Sequence, residues 1–269
     1  MGAFNSEGNL TGKSTLKISC KDINYLNSVT SHIKEVMGEY GATEKPPTKE
    51  DKKGEKGFHK YYSSTVSRTL INGYQVRPGK KILINNRLPK IIINTSLNSP
   101  WLKEWLKFYL QMRLSGDGHV RNSKNVKNGK KCLTRRVVLS RNMALVNIDE
   151  KLLLDIMKNY SNKKSVKNYP QRVTDEIGIR MRGKINYPKE FFDLQYFLEK
   201  LFDINSLIYT AGLRSIYYDK KRKKYIISCK YRLIISRKED IIKFHDKINF
   251  AFCDKTNRKK LIKLIKTYK

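Results

Sequence analysis

Residues 99–118 read Ser-Pro-Trp-Leu-Lys-Glu-Trp-Leu-Lys-Phe-Tyr-Leu-Gln-Met-Arg-Leu-Ser-Gly-Asp-Gly. Ser99 and Pro100 mark a helix start, because Pro is pre-set for the first helical position and its missing N–H costs nothing there. Trp101, Leu102, Trp105, Phe108, Tyr109, Met112 and Leu114 then recur at helical spacing, up to Gly116-Asp117-Gly118. The helix therefore ends on a carboxylate. That placement is unfavourable by ~0.3–1 kcal/mol, since the helix C-terminus carries the negative end of the macrodipole. The glycine after it allows a left-handed cap. A divalent cation bridging two such ends would remove the repulsion.

A second acid of this kind stands 110 residues upstream. Residues 2–8, Gly-Ala-Phe-Asn-Ser-Glu-Gly, again place a carboxylate, Glu7, after a small residue and before glycine. Each copy precedes a strand and an amphipathic helix. Downstream of the first, Leu16, Ile18 and Cys20 alternate with Lys17 and Ser19, the pattern of a half-buried strand. Asp22 is placed to cap a helix carrying Ile23, Leu26, Val29, Ile33 and Val36. Residues 45–57 are a charged Pro/Gly-containing stretch read as a loop, and Tyr61 to Leu70 as a strand.

Downstream of the second copy the expected order is a basic turn, a strand near Arg135 to Ser140, and helices over 151–160 and 191–202. A hairpin follows over 213–236, then helices over 239–248 and 258–268. In its second arm Tyr225, Ile227, Cys229, Tyr231, Leu233 and Ile235 share one face, with Lys230 and Arg232 on the other. STLKISCKDINYLNSV and YRLIISRKEDIIKFHD resemble each other loosely, each a strand that runs into a capped helix.

Composition narrows the partner. Of 269 residues, 57 are Lys or Arg and 24 are Asp or Glu, a net charge of +33. A folded core needs no such excess, and self-repulsion opposes compactness, so a polyanion is the natural partner. No stretch approaches the ~18 apolar residues of a membrane span. The four cysteines form no C-x-x-C pair and the four histidines no metal-ligand spacing, which argues against zinc.

Taken together, these motifs resemble those of the LAGLIDADG homing endonucleases of the monomeric two-repeat type. Residues 2–8 are similar to the family's Gly-Leu-Ile-Asp-Ala-Asp-Gly end, and Leu110, Leu114, Gly116, Asp117 and Gly118 to its second copy. Asn86-Arg87-Leu88-Pro89 resembles the basic element before the second motif helix. Residues 234–261 resemble the closing block, with Lys255 at its basic position. Met112 and Arg113 depart from the pattern, standing where the family has small or aliphatic residues at the helix–helix contact.

The resemblance implies an α+β fold of two pseudo-symmetric αββαββα repeats. These form a saddle of two antiparallel sheets with the motif helices packed at the centre. The first repeat would span 1–98 and the second 99–269, with an insertion around 141–190. The implied activity is site-specific double-strand cleavage of DNA by Mg²⁺-dependent phosphodiester hydrolysis, of the intron-homing type. Glu7 and Asp117 would hold the metal, and Arg87 and Lys255 would complete the catalytic set. Lys17, Ser19, Arg68, Arg136, Lys230 and Arg232 would contact the double-stranded DNA. The alternative is an impaired member acting as an intron RNA maturase or a DNA-binding protein. A monomer with no membrane partner is expected, cytoplasmic or organellar.

Overall fold

A computed structural model describes residues 8–11, 15–20, 22–38, 48–52, 55–62, 64–73, 87–127, 130–144, 187–219 and 224–268. The first part of the chain holds β1 (Gly8–Thr11), β2 (Thr15–Cys20), α1 (Ile23–Met37), β3 (Thr48–Lys52), β4 (Glu55–Tyr62) and α2 (Ser64–Arg68), which continues into a π-helical turn (Thr69–Gly73). A short helix α3 (Lys90–Ile93) leads to α4 (Pro100–Asp117). After it come β5 (Gly118–Lys127), β6 (Lys130–Ala144), α5 (Lys189–Phe202), β7 (Leu207–Asp219), β8 (Lys224–Ile235), α6 (Lys238–Lys247) and α7 (Lys255–Lys266).

The strands form two four-stranded antiparallel sheets with the same internal order, β1-β2-β4-β3 and β5-β6-β8-β7. Each sheet buries one face under helices. On the first, Leu16, Ile18 and Tyr62 pack on Tyr25, Leu26 and Val29 of α1 and on Val66 and Leu70. On the second, Val120, Val137, Leu139, Tyr231, Leu233 and Ile235 meet the apolar sides of α4, α5, α6 and α7. Within α4, Leu102, Leu106, Leu110 and Leu114 are essentially inaccessible. Burial of each contributes ~1.5–3 kcal/mol, and this is what anchors the helix bearing the acidic end.

Local signals act as the sequence suggests at several points. Asp22 accepts from Asn24 N at 2.9 Å and caps α1, and Pro100 opens α4. Elsewhere the fold departs from expectation. Residues 45–57 contain β3 and the start of β4, paired in register from Thr48↔His59 to Lys52↔Glu55. The strand expected over 61–70 ends at Tyr62, and Ser64–Arg68 is helical. The expected basic turn after Gly118 is strand β5, paired along its length with β6.

The loose recurrence of STLKISC and YRLIISR aligns β2, the second strand of its sheet, with β8, the fourth of its own. Both positions are central in the 1-2-4-3 order, so similar burial produced similar patterns in strands that do not correspond. The helix expected over 151–160 and most of the stretch read as an insertion lie outside the described residues.

The two halves touch through α4. Tyr25 donates its hydroxyl proton to Met112 O at 3.2 Å, and Met112 packs against the core of the first sheet, as does Cys253. Met112 thus does face the other half of the chain, whereas Arg113 turns the opposite way, into the second half. No helix of the described residues is long and apolar enough to cross a membrane.

Candidate nucleic-acid interface and acidic helix end

Residues opposite one another in an antiparallel pair share a face. The registers His119↔Val138, Arg121↔Arg136, Ser140↔Arg232 and Asn142↔Lys230 therefore gather His119, Arg121, Arg136, Lys230 and Arg232 on the side of the second sheet away from the helices. Tyr209 of β7 pairs with Arg232 and joins them. Its hydroxyl lies 3.2 Å from Arg136 Nη1 and 3.3 Å from Arg232 Nη1, accepting from the guanidiniums that flank it. Ser140 Oγ and Arg232 Nε are buried on this face with no partner among the described residues.

His119 reports the local field. Burial, then the cations Lys230, Arg232, Arg121 and Lys260, hold its imidazole below the ordinary value, so it is neutral at neutral pH. A face this rich in cations and hydroxyl groups is suited to a phosphate backbone and to base edges. On the first sheet Lys17 and Tyr61 are register partners, and Lys17 Nζ lies 5.8 Å from the centre of the half-exposed Tyr61 ring. Ser19 is partly exposed on the same strand. Arg68 does not share this sheet face. It is exposed on α2, because the strand ends before it.

Asp117 is the last residue of α4, and Gly118 is the first of β5. The glycine is not in the left-handed cap conformation expected for it. Its φ of −97° and ψ of 167° are extended, because helix passes directly into strand. Space explains the residue: a Cβ there would lie 2.4 Å from Leu114 O and 2.9 Å from Leu114 Cα. Around this junction Ser115 Oγ accepts from Ala251 N at 2.9 Å, and Val120 N donates to Asn257 Oδ1 at 3.4 Å. Asn257 is itself tied to Asp254, the cap of α7. Lys255, exposed at the start of α7, therefore sits on a segment docked beside the acidic end.

Asp117 is 34% exposed, and its partner is Arg113, one turn back on the same helix, whose Nη1 donates to Asp117 Oδ2. Arg113 is fully buried. Its Nε donates to Glu190 Oε1 at 2.9 Å, Tyr109 donates to the same oxygen at 2.7 Å, and Arg141 Nη1 donates to Glu190 Oε2. Desolvation opposes charge on both buried partners, but mutual attraction prevails. With Arg113 and Arg141 against it, the Glu190 carboxyl is held down at about 2. The Arg113 guanidinium, attracted to Glu190 and Asp117, stays charged more firmly than usual. Sequence reading missed Glu190 and Arg141. Glu190 lies 77 residues beyond Arg113 and 49 beyond Arg141, and no local pattern links the three.

Arg87 is drawn into a pair of its own. Its Nε donates to Asp193 Oδ1 at 3.0 Å, and Leu88 N donates to Asp193 Oδ2 at 2.9 Å, which ties the segment before α3 to α5. Glu7 lies outside the described residues. Among the described residues no group of three His, Cys, Asp or Glu side chains could hold a metal ion. Asp117 offers one partly exposed carboxylate with one oxygen taken by Arg113. It suits a single-oxygen ligand that needs a second acid.

No protein-family model matches the sequence, and no curated protein matches it. Among solved structures the chain is similar to the homing endonuclease I-WcaI bound to its DNA recognition sequence, at 15% identity and TM-score 0.46, over 96% of this chain and 82% of that one. It is similar to the meganuclease I-SmaMI bound to uncleavable DNA with a TTGT central four, at 10% identity and TM-score 0.47, over 99% and 89%. A third likeness is to the LAGLIDADG homing endonuclease I-GzeII in complex with its DNA target, at 11% identity and TM-score 0.40, over 99% and 88%. The sequence around Asp117, Leu110 to Gly118, resembles the end of the LAGLIDADG motif.

Proposed function

We propose that the protein binds double-stranded DNA on the polar faces of its two sheets and cuts both strands at a site formed by Glu7 and Asp117. The observation that carries the reading is the junction of α4 and β5. A partly exposed acid stands where its helix runs straight into the sheet that presents Arg121, Arg136, Lys230 and Arg232. The division into repeats at about residue 98 and the central pairing of two motif helices belong to this proposal.

In it, Arg121, Arg136, Lys230 and Arg232 hold phosphates and read base edges, and Lys17 and Ser19 do so on the other sheet. Glu7 and Asp117 hold Mg²⁺, which when bound supplies an activated water and charge stabilisation at the phosphate. Lys255 places a cation beside the scissile phosphate. Arg87 keeps Asp193 neutralised and contributes at longer range.

Incubating the protein and Mg²⁺ with a supercoiled plasmid pool of randomised inserts tests this. Linear product from a subset of plasmids supports it. Glu7→Gln and Asp117→Asn should each abolish cutting while duplex binding survives, and continued cutting by the double variant would contradict it. The Arg113–Asp117 pair favours a second reading, in which the acid is occupied internally and the chain binds nucleic acid, including intron RNA, without cutting.

A further inference from the structure

We propose that Arg113 is the built-in counter-cation of Asp117, so that Asp117 takes up a divalent cation only together with a DNA phosphate. This rests on the reading of Asp117 as a metal ligand. Arg113 cannot swing away into solvent. It is fully buried, its Nε is held by Glu190 at 2.9 Å and its Nη1 by Asp117. Among the described residues the cluster also balances its charge through Asp117. Two cations, Arg113 and Arg141, face two anions, Glu190 and Asp117, with Tyr109 as a neutral donor.

A divalent ion on Asp117 in the DNA-free protein would draw that carboxylate away from a guanidinium that has nowhere to go. It would also place like charge beside it, in surroundings that screen poorly. A DNA phosphate on the far side of the ion supplies the missing negative charge. Metal and DNA then bind with positive coupling, each tightening the other. Arg113 acts here through Asp117 and is a positioning residue.

Mn²⁺ titration of the DNA-free, full-length protein, followed by electron paramagnetic resonance, tests the inference without any cleavage readout. Wild type and Asp117→Asn should bind Mn²⁺ alike, within about twofold. Arg113→Met should gain a site at least about tenfold tighter, and that site should disappear in the Arg113→Met/Asp117→Asn variant. If Arg113→Met does not fold, Arg113→Met/Glu190→Met removes the buried pair as a unit and takes its place. A tenfold loss of Mn²⁺ affinity from Asp117→Asn alone would overturn the inference, and so would the absence of a gain in a folded Arg113 variant. Failure of the nuclease reading shows separately, in the plasmid assay, and leaves these titrations interpretable.

Discussion

Glu190 accepts from Arg113 through one carboxylate oxygen and from Arg141 through the other, joining the first turn of α5 to α4 and to strand β6. This buried arrangement fixes the orientation of the helix end that carries Asp117. Breaking such a group by removing one member leaves an uncompensated buried charge, at a cost of ~3–5 kcal/mol.

Glu190→Gln should therefore lower unfolding free energy by about 3–5 kcal/mol in denaturant titrations near neutral pH. The pH dependence gives a second reading. The folded-state carboxyl titrates at about 2, below its ordinary 4.5. Its stabilisation is fully present above about pH 4.5 and is lost as pH falls from there towards 2. Wild type should lose stability across that window, and the Glu190→Gln profile should be flatter there. Identical slopes would show that the cluster does not carry the acid sensitivity.

Gly118→Ala should destabilise the protein by about 1–3 kcal/mol, because the new methyl group meets the backbone of Leu114 as well as its side chain, and the backbone cannot move aside. The junction between α4 and β5 must then shift, and Asp117 with it. Thermal unfolding and plasmid nicking should both fall. A variant as stable and active as wild type would show that the close approach is not needed.

The cationic face makes a prediction that depends on salt. Arg136→Ala/Arg232→Ala should weaken duplex binding and reduce the slope of log affinity against log salt by about 0.9 for each phosphate no longer neutralised. Because Tyr209 accepts from both arginines, the two substitutions should not be additive. Fluorescence anisotropy over a range of salt concentrations measures both effects. An unchanged slope would place the DNA elsewhere.

The parts of the fold legible in the sequence are those with strong local physics. Pro100 and the helical spacing of Leu102, Tyr109 and Leu114 specify α4, the Asp22 cap sets the start of α1, and the alternation of Tyr231, Leu233 and Ile235 marks β8. Strands β3 and β5 were hidden because charged sequences carry no apolar alternation. Main-chain pairing to a better-patterned neighbour makes them strands. Gly118 was legible as necessary, but for the wrong reason: its backbone is extended, and what excludes a side chain is the close approach to Leu114, four residues back in α4. The Asp117 helix end was plain, whereas its partner Arg113 read only as an anomaly in a motif. What Arg113 meets is decided by Glu190, on a helix 77 residues away.

Cleavage by a shared metal site requires Glu7 to come next to Asp117. Spin labels at Glu7→Cys and Asp117→Cys, with the native cysteines replaced, allow pulsed electron paramagnetic resonance to measure their separation. Two motif helices packed with axes ~8–10 Å apart put the labels within about 20 Å of each other. A narrow distribution in that range is the predicted result, and a separation of about 30 Å or more would contradict it.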